Sequence, residues 1–180
     1  MGGGTVESVS ASAGHSFSKP AQKDIELVAG LGVRGDAHAG ETVKHRSRVR
    51  VDPTQPNLRQ VHLIPGELLD ELTAISPEIG PGALGENITT RGIDLITLPR
   101  DTVLKIGTAR MRVTGLRNPC RQIEDFGEGL LEAVLERRAD GTLVRKTGVM
   151  SVVLEGGVVR PGDAIEIELP PLPHAALETV

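Results

Sequence analysis

The sequence predicts a mainly β fold in one domain of 180 residues, a length that suits a single self-sufficient core. Phe17 and Phe126 are the only aromatic residues, so valine, isoleucine and leucine must fill the core, and β-branched side chains pack well on a pleated sheet. Short apolar segments are separated by glycine, proline and aspartate, and several alternate apolar with polar residues. This alternation is typical of strands with one buried face.

Seven segments are predicted to form strands, because each is short, rich in apolar or β-branched residues and bounded by turn residues. In chain order they are residues 5–12, 25–31, 58–64, 103–106, 109–116, 148–154 and 164–169. Gly107 separates the fourth strand from the fifth, and glycine adopts readily the positive φ that a tight turn requires. We therefore expect a hairpin turn over residues 105–110.

Two helices are predicted to interrupt these strands. Residues 65–72 begin with proline and acidic side chains, which favour the first turn of a helix. Residues 129–138 place leucine and valine on one face and end with two arginines, which suit a helix C-terminus. The polar stretch 37–57 is predicted to be a long loop, and loops of that length are usually functional or disordered. Residues 170–180 are expected to form a loosely held tail.

Composition argues against several functional classes. The 24 acidic and 20 basic residues give a net charge of −4, and no run of lysine or arginine exceeds two, so no nucleic-acid partner is expected. No apolar stretch approaches the roughly 20 residues that span a bilayer. One cysteine cannot form an intrachain disulfide, and the N-terminus lacks the basic start and apolar core of a signal peptide. We therefore expect a cytoplasmic protein without a membrane partner.

Cys120 is the only cysteine and the leading candidate for a reactive or metal-binding atom. Arg117 precedes it by three residues and Arg121 follows it directly, and cationic neighbours favour the thiolate, which is the nucleophile and the metal ligand. Pro119 stops the preceding strand, so a turn at a strand end is predicted. The alternative is a buried, inert cysteine, which is the commoner fate of a free thiol. The motif expected of a cysteine protease is not evident around it.

Other motifs are weaker. Residues 30–35 match the dinucleotide-binding pattern G-x-G-x-x-G, but no apolar helix follows, so a turn is favoured. Asp36, His38 and His45 carry metal-binding groups, yet their spacing does not complete a zinc site, and a hydrogen-bonding role for His38 is favoured. His62 alternates with apolar neighbours on a strand and is interpreted as a structural histidine at the rim of the fold.

Two polar loops are candidates for ligand binding. Residues 15–20 carry a lysine between a serine and a proline, which would suit a phosphate. Residues 85–92 combine glycine with hydroxyl and amide side chains, and backbone N–H groups of such a loop can surround a polar ligand. From the residues alone, an ordinary N-terminal loop is favoured for the first segment, and a simple turn is an equal alternative for the second.

Taken together, these motifs resemble the MOSC domain family, named after the C-terminal domain of molybdenum cofactor sulfurases. Three motifs occur in the family's order: GVRGDAHAG at residues 32–40, LGENITT at 84–90 and RNPC at 117–120. The likeness runs over residues 15–163, and the second half is similar to the small stand-alone bacterial members.

The resemblance implies a MOSC-type β-barrel, similar to the small barrel of pyruvate kinase, with two or three peripheral helices. It divides the chain into an N-terminal strand and loop that belong to the barrel (1–24), the MOSC domain itself (25–169) and a C-terminal tail (170–180). The oligomeric state is left open.

The resemblance also implies that Cys120 either ligates the metal of the molybdenum cofactor or carries sulfur as a persulfide. A thiolate is a soft donor that matches the dithiolene-bound metal, and persulfide transfer needs the same accessible thiolate. Family members that bind the cofactor hold its pterin and phosphate with loops around one barrel mouth. The cofactor-binding residues carried over by motif matching are Lys19, His38, Asn87, Thr89, Arg117, Asn118 and Arg121.

Two functions remain open at this point. In the first, the protein binds the molybdenum cofactor and reduces N-hydroxylated small molecules, with electrons from a separate electron-transfer protein. In the second, Cys120 receives sulfur from a pyridoxal-phosphate cysteine desulfurase and passes it to a metal–sulfur cofactor. That desulfurase would be a separate chain, so pyridoxal phosphate is not expected on this one. The cationic residues around the motifs favour cofactor binding.

Overall fold

The structure is a computed structural model that describes residues 3–180. The strands are β1 (Gly4–Ser10), β2 (Ala21–Gln22), β3 (Ile25–Val28), β4 (Gly32–Val33), β5 (Val61–Pro65), β6 (Ile88–Arg91), β7 (Val103–Ile106), β8 (Ala109–Leu116), β9 (Leu135–Arg137), β10 (Leu143–Arg145), β11 (Val149–Glu155), β12 (Gly157–Val159) and β13 (Ala164–Glu168). The helices are α1 (Arg46–Val49), α2 (Gly66–Leu72), α3 (Gln122–Phe126) and α4 (Leu130–Ala133), and Leu95–Thr97 form a 3-10 turn.

Seven strands close into a barrel, which confirms the mainly β fold. Around the barrel they follow the order β1, β6, β5, β11, β8, β7 and β13, and pairing of β13 with β1 closes the cylinder. Neighbouring barrel strands are antiparallel except for β5 and β6, which run parallel. A parallel pair needs a crossover connection, and the chain through α2 supplies it. A small sheet of β12, β3 and β4 lies beside the barrel.

Aliphatic side chains fill the barrel. Leu104 and Ile106 on β7, and Met111 and Val113 on β8, alternate along their strands and are fully buried, as the two-residue period of a strand requires. A second apolar cluster packs α2, α3 and α4 against the outside of the barrel. None of the helices in residues 3–180 combines the length and the apolar character needed to cross a bilayer.

All seven predicted strands are present within a few residues of the predicted bounds. The hairpin between β7 and β8 turns at Gly107, whose φ is 58°. The sequence did not predict β6, a central strand of the barrel, because two threonines make it resemble a polar loop. The short strands β2, β4, β9, β10 and β12 and the helix α3 were also not predicted.

The predicted helix over residues 129–138 is wrong in its second half. Helix α4 ends at Ala133, and the chain continues as β9, which pairs antiparallel with β10. Lys146 N–H also donates to Val134 O, at 2.9 Å. A helix this short is marginal by itself, so these non-local hydrogen bonds determine the conformation. The other predicted helix is confirmed as α2, with Pro65 at its N-cap.

The C-terminal tail was predicted to be loosely held, and this is wrong. Leu116 N–H donates to Glu178 O (2.8 Å), and Val180 N–H donates to Leu116 O (3.3 Å), so the tail lies along the end of β8. Arg100 N–H holds the tail further upstream through Ala175 O. The stretch 37–57 is mostly irregular, as predicted, with α1 as its one helical turn among the described residues.

Replacing a buried barrel leucine should destabilise the fold strongly. Leu104 is 0% exposed, so we expect Leu104→Ala to lower the free energy of unfolding by about 2–5 kcal/mol, because the substitution removes packed methyl groups and leaves a cavity. Urea denaturation would measure this loss. Leu172→Ala is the control, because Leu172 is 81% exposed and its loss should cost under about 0.5 kcal/mol. Equal effects at both positions would contradict the assigned core.

Candidate functional site

Segments that follow β1 and β8 and precede β6 surround a cavity of about 600 Å³. Ligand pockets commonly have volumes of about 300–1,000 Å³, so the cavity is large enough for a small-molecule ligand. Phe17, Leu84, Met150 and Val180 give it an apolar portion, while most of its remaining lining is polar or cationic. Such a cavity suits a ligand that has an apolar part and an anionic part.

Most of the residues predicted to form the site line this cavity. They are Lys19, His38, Asn87, Arg117, Asn118 and Cys120. Two predicted residues do not line it. Thr89 is buried on β6, where its hydroxyl donates to Glu86 Oε1 at 3.2 Å. Arg121 is exposed and lies directly before α3.

The buried carboxylate of Asp36 connects three of the lining segments. Its Oδ2 accepts hydrogen bonds from Lys19 Nζ (2.9 Å), Asn87 Nδ2 (3.1 Å) and Ser12 N–H (3.2 Å). Its Oδ1 accepts a bond from His38 N–H (2.9 Å) and lies 3.2 Å from His38 Nδ1. Burial by itself would raise the pKa of Asp36, but the hydrogen bond with His38 and the charge of Lys19 outweigh it and lower the pKa below the usual carboxyl range.

Both the side chain and the backbone of Lys19 are held in place. Its side chain is 3% exposed; burial lowers its pKa, and the ion pair with Asp36 opposes that shift. Its backbone N–H donates to Gly82 O at 2.9 Å. Gly82 has a φ of +84°, and a Cβ there would lie 2.1 Å from Lys19 O, so only glycine lets the two loops approach this closely.

Asn87 joins β1, β5 and β6 at the cavity. Its Nδ2 donates to Ser10 O (3.1 Å) as well as to Asp36, and its Oδ1 accepts from His62 N–H (3.2 Å). His62 Nε2 in turn lies 2.8 Å from Thr147 O. Burial and the charge of Arg117 lower the pKa of His62 well below its ordinary value, so this imidazole is neutral and donates to the carbonyl.

The lining is strongly cationic. Besides Lys19 it includes Arg48, Arg50, Arg59 and Arg117, and no aspartate or glutamate appears among the described lining residues. Burial, together with Arg117 and Arg48, lowers the pKa of Arg59 to about 10. Buried Arg117 Nη1 and Arg59 Nε have no hydrogen-bond partner among the described atoms. Such buried cationic donors are costly unless an anion pairs with them.

Arg117 also has a buried carboxylate in its neighbourhood. Burial lowers the pKa of Arg117, whereas negative charge at Cys120 and Glu86 acts in the opposite direction. Glu86 is fully buried, and burial raises its pKa. Its Oε1 accepts hydrogen bonds from Gly82 N–H and the Thr89 hydroxyl, which explains why the LGENITT motif is structural as well as adjacent to the cavity.

Three histidine rings are in contact at the cavity. The ring centroids of His38 and His45 are 4.6 Å apart, and those of His38 and His15 are 5.5 Å apart. Burial and the charge of Arg59 lower the pKa of His45 to about 2, so its imidazole is neutral. The described residues contain no group of three or more histidine, cysteine, aspartate or glutamate side chains arranged to hold a metal ion. The carboxylate of Asp36, which carries a metal-binding group in the sequence, instead forms an ion pair with Lys19.

Cys120 lies in a turn at the end of β8, as predicted. Arg117 N–H donates to Gly148 O (3.0 Å), which ends the strand pairing, and Cys120 O accepts from Ile123 N–H (3.0 Å), which starts α3. The thiol is partly exposed at the cavity, and its Sγ lies 3.7 Å from Gln122 Oε1. The partly exposed thiol therefore lines the same cavity as Arg117 and Arg59.

The sequence did not single out Asp36 as a hydrogen-bonding centre, or Arg48, Arg50 and Arg59 as site residues. Only non-local packing brings the three arginines to the cavity. The one available signal was their concentration in and beside a polar loop of unusual length.

Comparison with known proteins identifies related sequences and folds. A family model described as MOSC domain matches residues 36–166. A search of curated proteins finds no significant match.

Three crystal structures have similar folds. YuaD from Bacillus subtilis has a TM-score of 0.73 at 23% identity, covering 94% of this chain and 98% of that one. YiiM from Escherichia coli has a TM-score of 0.65 at 19% identity, covering 97% and 74%. YiiM from Geobacillus stearothermophilus has a TM-score of 0.67 at 16% identity, covering 96% and 79%. At these identities the likeness shows a shared fold.

Removing the charge of Asp36 should destabilise the protein and change its response to acid. We expect Asp36→Asn to cost about 3–5 kcal/mol near neutral pH, because it leaves the Lys19 ammonium buried without a counter-ion. Asp94→Asn is the control, because Asp94 is exposed. Urea denaturation at several pH values would measure both variants.

The sign of the pH effect follows from the lowered pKa of Asp36. The carboxylate contributes its full stability above the unfolded-state pKa of about 3.9 and loses it as the pH falls below that value. Between about pH 6 and about pH 3, the wild type should therefore lose more free energy of unfolding than Asp36→Asn. Parallel curves for the two proteins would contradict this assignment.

Proposed function

The chain belongs to the MOSC domain family, and we propose that it binds the molybdenum cofactor through Cys120 and acts in the reduction of N-hydroxylated compounds. One observation carries the proposal: a partly exposed thiol lines a cavity together with Arg117, whose buried Nη1 has no hydrogen-bond partner among the described atoms. The cavity thus offers a soft donor for a metal and hard, cationic donors for a phosphate.

The residues present fit this cofactor. Arg117 Nη1 is buried without an acceptor among the described atoms, and a phosphate or another anionic group would supply one. The thiolate of Cys120 is a soft ligand of the kind that a dithiolene-bound molybdenum accepts. The apolar portion of the lining, which includes Phe17 and Leu84, suits the flat pterin ring.

Individual residues take separate roles in the proposed site. Lys19 and Arg117 hold the cofactor phosphate, and Asp36 keeps Lys19 in place. Asn118 is oriented by Arg145, whose Nε donates to its Oδ1 at 3.1 Å. His38 is oriented by Asp36 at its Nδ1, and its ring lines the cavity, where it would hydrogen-bond a ligand.

The bound cofactor supplies two-electron redox chemistry to the site. Reduction of an N-hydroxylated amine breaks its N–O bond, consumes two electrons and two protons, and releases the amine and water. The electrons come from a separate electron-transfer protein, with a flavin or an iron–sulfur cluster as their source.

Loss of the thiol should remove the metal from the protein. We expect Cys120→Ala, expressed in a host that makes the cofactor, to contain molybdenum only at background level, while the wild type contains both molybdenum and pterin. Metal analysis and pterin fluorescence after oxidation measure these contents without relying on activity. Ser76→Ala, a small truncation outside the cavity lining, is the matched control and should load normally. Equally negligible molybdenum and pterin in wild type and Cys120→Ala would sink the proposal.

The partial exposure of Cys120 also supports the sulfur-carrier function as a second candidate. In that case a persulfide should form on Cys120 after incubation with cysteine and a pyridoxal-phosphate cysteine desulfurase, and mass spectrometry should detect one added sulfur atom. Cys120→Ala is the negative control. Absence of the adduct, under conditions that load a known acceptor, would exclude this candidate.

A further inference from the structure

The cationic side chains of the cavity fall into two groups. Lys19 is paired with Asp36, and the charges that act on it include Asp36, Glu86 and Arg117. The charges that act on Arg59 are instead those of Arg117, Arg48 and Cys120. Lys19 therefore has a carboxylate counter-ion, whereas the charges that act on Arg59 include two other arginines.

The second group, Arg48, Arg50 and Arg59, has no acidic partner. Among the described side chains, none of the three forms an ion pair within 4.0 Å, although all three line the cavity. Elsewhere on the protein, Arg34 pairs with Glu26, and Arg110 pairs with Glu155 and Glu168. The cavity arginines thus stay without counter-ions in a protein whose net charge is −4.

A buried asparagine holds Arg59 at the cavity, so the group is part of the folded structure. Asn57 is 2% exposed, and its Nδ2 donates to His38 O (2.9 Å) and Gly40 O (3.0 Å). Its Oδ1 accepts from Arg59 N–H (3.1 Å). The side chain of Asn57 therefore ties both ends of the long loop together and fixes the backbone from which Arg59 extends.

The guanidinium of Arg59 has an unused donor in this position. Its Nε is buried without a hydrogen-bond partner among the described atoms, and two further cations, Arg48 and Arg117, act on it. Like charges held together in a partly buried place repel one another, and an anion with several acceptor oxygens relieves that repulsion and satisfies the free donors. Arginine is the side chain best suited to bind phosphate in this way.

We propose that Arg48, Arg50 and Arg59 form a second phosphate subsite, beside the one formed by Lys19 and Arg117, for a phosphate ester attached to the substrate or to an extended form of the cofactor. This inference rests on the proposed function for the first subsite. If the substrate carries the phosphate, the inference narrows the substrate class from N-hydroxylated compounds in general to N-hydroxylated nucleotides. The alternative source is the nucleotide portion of a dinucleotide cofactor.

Ligand binding to the protein as purified is the first test, because it does not depend on molybdenum. Calorimetry with adenosine monophosphate and with adenosine should show binding of the nucleotide at least about tenfold tighter. The double variant Arg48→Gln/Arg50→Gln should lose that preference, and since both side chains are exposed, the fold should persist. The matched control is Arg137→Gln/Arg138→Gln, two exposed arginines on and beside β9, and it should retain the preference. A double variant that binds both ligands like the wild type would overturn the subsite.

The variant Arg59→Gln is a second test of the same subsite, and a thermal melt would establish that this variant folds. It should also lose the preference for the nucleotide, since the buried guanidinium donor is gone. Unchanged nucleotide binding in a folded Arg59→Gln would count against the proposal as well.

Experiments on protein that contains the molybdenum cofactor then distinguish the two sources of the phosphate. If the substrate carries it, kcat/KM of Arg48→Gln/Arg50→Gln should fall at least about tenfold for an N-hydroxylated adenosine monophosphate and stay unchanged for the corresponding nucleoside. If the cofactor carries it, the variant should lose nucleotide-bearing pterin, as hydrolysis and chromatography would show. Absence of both effects overturns the subsite. A wild type without molybdenum would instead refute the proposed function, while the nucleotide-binding result would stand independently.

Discussion

The Asp36 carboxylate is the contact on which the geometry of the cavity depends. It accepts hydrogen bonds from the chain after β1, from Lys19, from Asn87 before β6 and from His38 at the start of the long loop. Removing two charges from water costs several kcal/mol per ion, and the cost is recovered only where geometry and further hydrogen bonds are good. Asp36 meets that requirement because both of its oxygens are fully engaged. Segments far apart in sequence therefore have one relative arrangement.

The barrel strands form a rigid scaffold at the base of the cavity, and the loops carry the side chains that would contact a ligand. The parallel pair β5 and β6 brings His62 and Asn87 together, and the side chain of Asn87 joins them to β1. Two of the cationic groups, in contrast, extend from irregular chain: Lys19 from the loop after β1 and Arg59 from the segment before β5. In such a scaffold the barrel strands fix the base of the cavity, while the loops determine what the cavity binds.

The sequence predicted those parts of the fold that local pattern determines. Strands β7 and β8 match their predicted bounds because their alternation follows directly from one buried face. Strand β6 was missed because Thr89 and Thr90 look like loop residues, although both are buried in the barrel wall. The chain after Ala133 was assigned to a helix because periodicity cannot show that β10 offers it a better partner.

The sequence likewise predicted only those residues of the candidate site that belong to a local motif. Matching motifs located Cys120, Arg117 and Lys19, because each motif keeps its residues at fixed spacing. They could not separate Thr89, which faces Glu86, from Asn87, which lines the cavity. Nor could any local pattern show that Arg59 extends into the cavity, since Asn57 fixes its position through contacts with residues 38 and 40.

Closure of the barrel by β1 and β13 has a consequence for biogenesis. The first strand of the chain finds its partner β13 only after residues 164–168 have been synthesised. Contacts of such large sequence separation form late, because closing a long loop costs chain entropy before any pairing is gained. The cavity wall that follows β1 therefore becomes complete only when translation has passed β13. We therefore expect a ligand of this cavity to bind after the barrel has closed rather than during synthesis of the chain.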